Sequence, residues 1–250
     1  MPVSNTEIIF GRHPVLEALN AGRPCQRLLL ARGSGGPVIN AIYAKARELG
    51  LPYDVQERQA LDRVAEGNHQ GVVAYVAERD YADYAEILQG IDPKKAFVVF
   101  LDGIQDPHNL GAIVRSAHAA GADAVVVPER GAAGLGATVA KASAGALEHL
   151  PVCRVKNLAR ALQEARDAGL WLTGLAPDGE RGFFELDFDG PVGLVVGAEG
   201  SGLRPLVLRH CDFVAHIPMA RPEVGSFNAS VAAGLALYEV FRQRRAAAGA

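Results

Sequence analysis

The sequence predicts an α/β protein whose C-terminal part is a parallel sheet, preceded by a small α/β domain. Three observations carry this. From Ala96 onward, short apolar runs alternate with helical stretches, the pattern of buried parallel strands covered by helices on both faces. Residues 6–77 hold strand and helix patterns of their own. Between the two, residues 78–95 turn charged and tyrosine-containing (Arg79, Asp80, Tyr81, Asp83, Tyr84, Glu86) and end in Asp92-Pro93-Lys94-Lys95. The expected division is therefore a first domain over 1–77, a linker with one amphipathic helix over 78–95, and a second domain over 96–250. A chain of 250 residues accommodates one small and one medium domain.

In the first domain, Pro14 to Asn20 reads as a short helix ended near Gly22, and Arg27 to Leu30 as a strand. Val38 to Leu49 places Ile39, Ile42, Tyr43, Ala46 and Leu49 at helical spacing, with Gly50 positioned to terminate the helix. Gly71 to Val76 is a strong strand. In the second domain the apolar runs are Phe97–Leu101, Ala124–Val127, Leu170–Leu175, Val192–Val196 and Phe213–Ile217. Helices are expected at Leu110–Ala120, Leu158–Ala168 and Asn228–Phe241. The last contains one charged residue, Glu239, so it is apolar nearly all round and needs cover on both sides. A dimer interface is one such cover.

Composition removes several classes. No apolar stretch approaches the length of a membrane span, and the first residues lack the basic and apolar regions of a signal peptide, so a cytoplasmic protein is expected. Cys25, Cys153 and Cys211 are odd in number, far apart and without a C-x-x-C pair. That argues against a disulfide framework or a zinc site and for three small apolar residues. The net charge of −3 gives no global attraction to nucleic acid. Residues 1–50, however, carry six basic side chains against three acidic ones, and the tail adds Arg242, Arg244 and Arg245. Charge alone leaves these as solvated surface.

In open α/β sheets, sites form in loops at the carboxyl ends of strands. Three such loops stand out. After 97–101 comes Asp102-Gly103-Ile104-Gln105-Asp106-Pro107-His108-Asn109-Leu110-Gly111, with Asn109 suited to cap the next helix and Arg115 about one and a half turns into it. After 192–196 comes Gly197-Ala198-Glu199-Gly200-Ser201-Gly202, whose glycines permit positive φ and close approach to a ligand. Its spacing is neither the dinucleotide fingerprint nor a phosphate loop. After 213–217 comes Pro218-Met219 and, further on, Gly225-Ser226-Phe227-Asn228, where Ser226 or Asn228 would cap the final helix. Each string alone is equally a plain turn or cap.

Together and in this order, the loops resemble the three motifs of the SpoU-type RNA ribose 2′-O-methyltransferases of the SPOUT superfamily. The first is N-x-G-x-x-x-R (Asn109, Gly111, Arg115). The second is V-x-G-x-E-G (Val195, Gly197, Glu199, Gly200). The third is I-P-M followed by S-x-N-x-S-x-A (Ile217, Pro218, Met219, Ser226, Asn228, Ser230, Ala232). The resemblance covers residues 96–245. Gly11 to Leu19 and His69 to Ala74 are similar to the small RNA-binding domain, related in fold to a ribosomal protein, that precedes this catalytic domain in the members acting on bacterial 23S ribosomal RNA. Two departures stand out: Phe227 replaces the usual Leu, and the Arg221–Gly225 connector is about one residue longer.

The resemblance implies a deep trefoil knot in the C-terminal third, which no hydrophobic pattern predicts. It also implies a homodimer with its site near the interface, S-adenosylmethionine as methyl donor, and a guanosine ribose 2′-hydroxyl of 23S ribosomal RNA as acceptor. Gly197, Ile217, Met219 and Phe227 would hold the cofactor, largely through backbone groups. Arg115 would act at the hydroxyl, with Asn109, Glu199, Ser226 and Asn228 orienting it and the RNA. Arg115 as general base and Arg115 as alkoxide stabiliser both stay open at this point, because a guanidinium keeps its proton far above neutral pH. Arg12, Arg23, Arg27 and Arg32 would supply RNA grip. Three other readings are a transfer RNA substrate, a catalytically silent ribosome-assembly factor, and a nucleotide-binding oxidoreductase, the last without its fingerprint.

Overall fold

The computed structural model describes residues 6–65, 67–221 and 225–249. The chain divides into two compact units, one of residues 1–80 with 134–149 and one of 81–133 with 150–250.

The first unit opens with β1 (Thr6–Phe10), α1 (Arg12–Asn20), β2 (Cys25–Ala31), α2 (Pro37–Glu48), β3 (Tyr53–Gln56), α3 (Arg58–Asp62) and β4 (Val72–Ala77). They form a four-stranded sheet in the order β1-β4-β2-β3, antiparallel except for β2 with β3. Gly50 ends α2 as expected. It takes a φ of +61°, and the amides of Gly50 and Leu51 reach back to the Arg47 and Ala46 carbonyls at 3.1 and 2.8 Å. His69 is buried: its Nδ1 accepts from Gly71 N at 3.0 Å while Nε2 donates to Asp62 at 2.8 Å.

The segment expected as a linker carries α4 (Tyr84–Gly90), capped by Asp83. Tyr84 is buried among second-unit residues, with its hydroxyl donating to Ala161 O at 2.6 Å. The second unit continues with β5 (Phe97–Asp102), α5 (Pro107–Ala119) and β6 (Ala124–Pro128). The chain then leaves it for α6 (Ala137–Ala142) and a 3₁₀ turn (Ala146–Glu148), both belonging to the first unit. There Lys141 lies 4.9 Å over the Phe10 ring, His149 meets Glu17 at 3.0 Å, and Glu148 joins Arg79 and Arg23. Arg23 also pairs with Glu7, and its side chain is only 8% exposed. Arg23 is thus a buried fastener of the first unit, and the expectation that it grips RNA is corrected.

The second unit resumes with β7 (Val152–Val155), α7 (Leu158–Asp167), β8 (Trp171–Leu175), β9 (Arg181–Gly182), β10 (Val192–Gly197), α8 (Pro205–Leu208), β11 (Phe213–His216) and α9 (Ala229–Ala247). Its seven strands run in the order β7-β6-β5-β10-β8-β11-β9, all parallel. The central β5 is buried along its whole length, as its unbroken apolar run requires. On one face, Val98, Phe100, Val126 and Leu172 pack against Tyr84, Leu162 and Val207 from α4, α7 and α8. The helices α5 and α9 pack on each other and against β6 and β10.

β11 lies between β8 and β9, and the loop joining those two strands crosses over it. A Cβ on Gly179 of that loop would stand 2.7 Å from Ala215 Cα, so only glycine fits. His216 Nδ1 donates to Gly179 O at 2.8 Å and fixes the crossing.

Two helix starts differ from expectation. The cap of α5 is Asp106, which accepts from His108 N at 2.9 Å, with Pro107 at the first position. Asn109 therefore lies inside the first turn and is not the cap. Proline is at ease where no amide is needed, and Asp106 precedes it with the extended backbone a cap adopts. The cap of α9 is Asn228, one of the two residues offered for it. Of the cysteines, Cys153 is buried while Cys25 and Cys211 are half-buried, and all three are free thiols. Burial pushes the Cys25 and Cys153 thiols up to about 11 and Cys211 to about 12, so all three stay protonated and unreactive near neutral pH.

Candidate functional site

Four loops at the carboxyl ends of β5, β8, β10 and β11 converge in the second unit. A cavity of about 290 Å³ opens among the last three. Its apolar wall includes Leu175, Leu208, Ile217, Met219 and Phe227, and its rim carries Asp178, Glu199 and Ser226. The four residues expected to hold a cofactor, Gly197, Ile217, Met219 and Phe227, all stand on this wall. The Pro222–Val224 part of the connector noted above lies outside the described residues.

Gly197 shows why the loop is glycine-rich. The loop doubles back so tightly that Ala198 and Gly202 exchange backbone hydrogen bonds of 3.2 and 2.9 Å. A Cβ on Gly197 would lie 2.5 Å from Leu203 N and closer still to the Gly202 carbonyl carbon. Gly200 and Gly202 take φ of +78° and +63°, values that L side chains rarely adopt. The backbone is thereby exposed to whatever enters the cavity.

Asn228 joins the three motifs. Its carbonyl oxygen accepts from Ser230 N at 3.0 Å, Ser230 Oγ at 2.7 Å and Val231 N at 3.4 Å, capping α9. Its amide donates to Asn109 Oδ1 at 3.2 Å and to Glu199 Oε2 at 3.1 Å. One side chain therefore spends both its donors binding the β5 and β10 loops and its acceptor starting the final helix. Asn109, freed from capping, is the acceptor this arrangement needs.

Arg115 stands apart. It is exposed, does not line the cavity and, among the described residues, makes no hydrogen bond or ion pair. Six residues beyond Asn109 on one helix, it points roughly 120° away from it and about 9 Å further along the axis.

The sequence reading missed the contribution of β8. Leu175, Ala176, Pro177 and Asp178 form one side of the cavity. The signal was present: a strand was expected over Leu170–Leu175, and Pro177-Asp178-Gly179 is a turn at its carboxyl end, where sites form. Among the described residues, no cluster of histidine, cysteine and carboxylate side chains could hold a metal ion.

Comparison with known proteins agrees with this geometry. Residues 96–238 match the SpoU rRNA Methylase family, and residues 8–82 match the family described as RNA 2′-O ribose methyltransferase substrate binding. The chain is 42% identical over 240 residues to YacO of Bacillus subtilis (strain 168), described as a TrmH family tRNA/rRNA methyltransferase, covering 95% of this chain and 96% of YacO. Among solved structures it is similar to the SpoU methyltransferase AviRb from Streptomyces viridochromogenes in complex with AdoMet, with a TM-score of 0.80 and 28% identity, covering 95% of this chain and 90% of that one. It is also similar to the AdoMet-bound rRNA methyltransferase from Sinorhizobium meliloti, with a TM-score of 0.77 and 27% identity, covering 95% and 87%.

Proposed function

Because this chain belongs to the SpoU family of RNA methyltransferases, we propose that it transfers the methyl group of S-adenosylmethionine to a guanosine ribose 2′-hydroxyl in 23S ribosomal RNA. The observation that carries this reading is the joining of Asn109, Glu199 and Asn228 beside the cavity walled by Gly197, Ile217, Met219 and Phe227.

The residues present fit the cofactor. The apolar wall suits an adenine ring, the exposed turn of Gly197–Gly202 offers backbone groups, and the rim carboxylates Asp178 and Glu199 suit a ligand carrying positive charge. When bound, S-adenosylmethionine supplies a methyl group already activated on a sulfonium. What remains for the protein is alignment and the proton of a weakly nucleophilic hydroxyl. Asn228, Asn109, Glu199 and Ser226 orient the ribose at the cavity mouth. The guanidinium of Arg115 stabilises the developing alkoxide, while the hydroxyl proton passes to an RNA phosphate oxygen or to water. Phe227 serves through its backbone, which accounts for its replacing leucine.

The Gly197→Ala variant is expected to bind S-adenosylmethionine at least tenfold more weakly, because the added methyl group forces the turn open. Isothermal titration checks this; an unchanged dissociation constant would remove Gly197 from the site.

We further infer that the crossing of the β8–β9 loop over β11 belongs to a trefoil knot, and that the protein is a homodimer. Val231, Leu235 and Tyr238 form one exposed stripe along α9, 49%, 40% and 65% exposed, with Phe227 at its start. The opposite side of α9 is buried. A second copy is the cover this stripe lacks, and it would bring the outward Arg115 into a site near the interface. Residues 6–77 are proposed as the RNA-gripping part, through Arg12, Arg27 and Arg32. No helix among the described residues is long and apolar enough to cross a membrane, and a ribosomal RNA substrate would place the protein in the cytoplasm.

The test is ribose-methylation mapping of 23S ribosomal RNA and transfer RNA incubated with S-adenosylmethionine, with and without the protein. A new 2′-O-methylguanosine in 23S RNA is the expected result. Methylation of transfer RNA alone would replace the substrate, and cofactor binding without methylation of either would leave a silent binder.

A further inference from the structure

Asp102 ends β5 at 1% exposure, a buried carboxylate that the proposed chemistry does not use. Among the described residues, its carboxylate is bonded by one residue, Arg204. Arg204 N donates to Oδ2 at 2.8 Å, and Arg204 Nε and Nη2 donate to Oδ1 at 2.7 and 2.6 Å. Arg204 immediately follows the turn that walls the cavity. The other end of that turn is Gly197, which pairs with Asp102 in the sheet register. One carboxylate therefore lies beside the first residue of the turn and grips the residue after its last. Ala198 is held against the same strand end, since a Cβ on Gly103 would stand 3.3 Å from the Ala198 Cβ.

We propose that Asp102 is a positioning residue for the methyl donor: with Arg204 it closes the base of the Gly197–Leu203 turn, holding its backbone at the spacing the cofactor requires. This rests on the methyltransferase reading given above. A buried carboxylate is costly unless paired, and the fork of one arginine together with that arginine's own amide satisfies it at a single point. The turn is also tied internally by the Ala198–Gly202 and Ser201–Glu199 backbone hydrogen bonds and the buried Leu203 side chain, and outward by Asn228 donating to Glu199. Asp102 adds the grip on its far end, at Arg204, from the end of β5. Asp102 touches neither the cavity nor the reacting atoms, so its effect runs entirely through the turn.

The test compares wild type with Asp102→Asn, which keeps the shape and removes the charge, and with Arg204→Ala, whose side chain is 61% exposed and whose backbone bond survives. Two readouts apply: amide hydrogen exchange of residues 198–203 without cofactor, and S-adenosylmethionine affinity beside kcat at saturating cofactor. The expected result for Asp102→Asn is exchange at least tenfold faster, a dissociation constant about tenfold higher, and kcat and the KM for RNA within twofold of wild type. Arg204→Ala should show the same split at about threefold. A purely structural role would instead lower the folded fraction and move every parameter together. If Asp102→Asn does not fold, Arg204→Ala decides. Unchanged exchange and affinity in the folded variants overturn the proposal. A wild type that binds no S-adenosylmethionine defeats the methyltransferase reading instead, and the exchange data then still report whether Asp102 holds the turn.

Discussion

The Arg115→Ala variant is expected to lose methyl transfer by about a hundredfold or more while binding S-adenosylmethionine as tightly as wild type. The magnitude follows from the loss of a preorganised donor at a developing oxyanion, worth roughly 10²–10³ in rate. Unchanged cofactor binding follows from position, because Arg115 is exposed on α5 and absent from the cavity wall. Single-turnover kinetics at saturating RNA, alongside a cofactor titration, check both halves. Arg115→Lys separates the two chemical roles. A lysine keeps the positive charge but not the planar fork, so partial recovery is expected if charge stabilises the alkoxide. A rate for Arg115→Ala equal to wild type would remove Arg115 from the chemistry. If both variants bound cofactor poorly, the cavity would be more extensive than its present wall.

The second large effect concerns stability. Arg244 near the end of α9 is half-buried and donates to four backbone carbonyls, those of Phe188, Lys95, Ala96 and Gly190, at 3.2, 2.9, 3.1 and 2.8 Å. Its guanidinium lies 5.0 Å over the Phe97 ring, and burial lowers its affinity for the proton. These contacts tie the last turns of the chain to the starts of β5 and β10. Truncation to alanine leaves several carbonyls without a partner. A cost of about 3 kcal/mol is expected, given 1.5–3 kcal/mol for a charged hydrogen bond and partial replacement by water. Roughly 2–4 °C per kcal/mol then predicts a melting temperature lower by about 10 °C. Arg245→Ala, at an exposed position, should change stability by less than about 0.5 kcal/mol. Equal melting temperatures for the two variants would show that Arg244 carries no such load.

Arg244 also marks the limit of what the sequence discloses. Beside Arg242 and Arg245 it reads as one of three basic tail residues, because nothing local shows that four distant carbonyls await it. Asp102 is similar, being an unremarkable strand end until β10 brings Arg204 beside it. The parallel sheet was legible because a strand buried on both faces must be apolar throughout, and Phe97–Leu101 and Val192–Val196 are. The cavity wall was legible by another route, through spacing shared with a family, and Gly197, Ile217, Met219 and Phe227 do surround one space. The position of Asn109 was misjudged because its local chemistry fits a cap. Asp106 fits equally well and has proline behind it. Short elements such as β3, β7 and β9 escaped because two to four residues cannot establish a period.

The detour of residues 134–149 governs the order in which the protein is built. During synthesis the first eighty residues leave the ribosome without α6, Glu148 and His149, so Phe10, Arg23 and Glu17 wait for partners that emerge later. By then β5, α5 and β6 have also emerged. The N-terminal unit therefore cannot be completed before the second has begun, and vectorial translation does not yield one finished body followed by another. For the same reason, removal of residues 1–77 would strip α6 of its neighbours, and single surface arginines are the sounder probe of RNA binding.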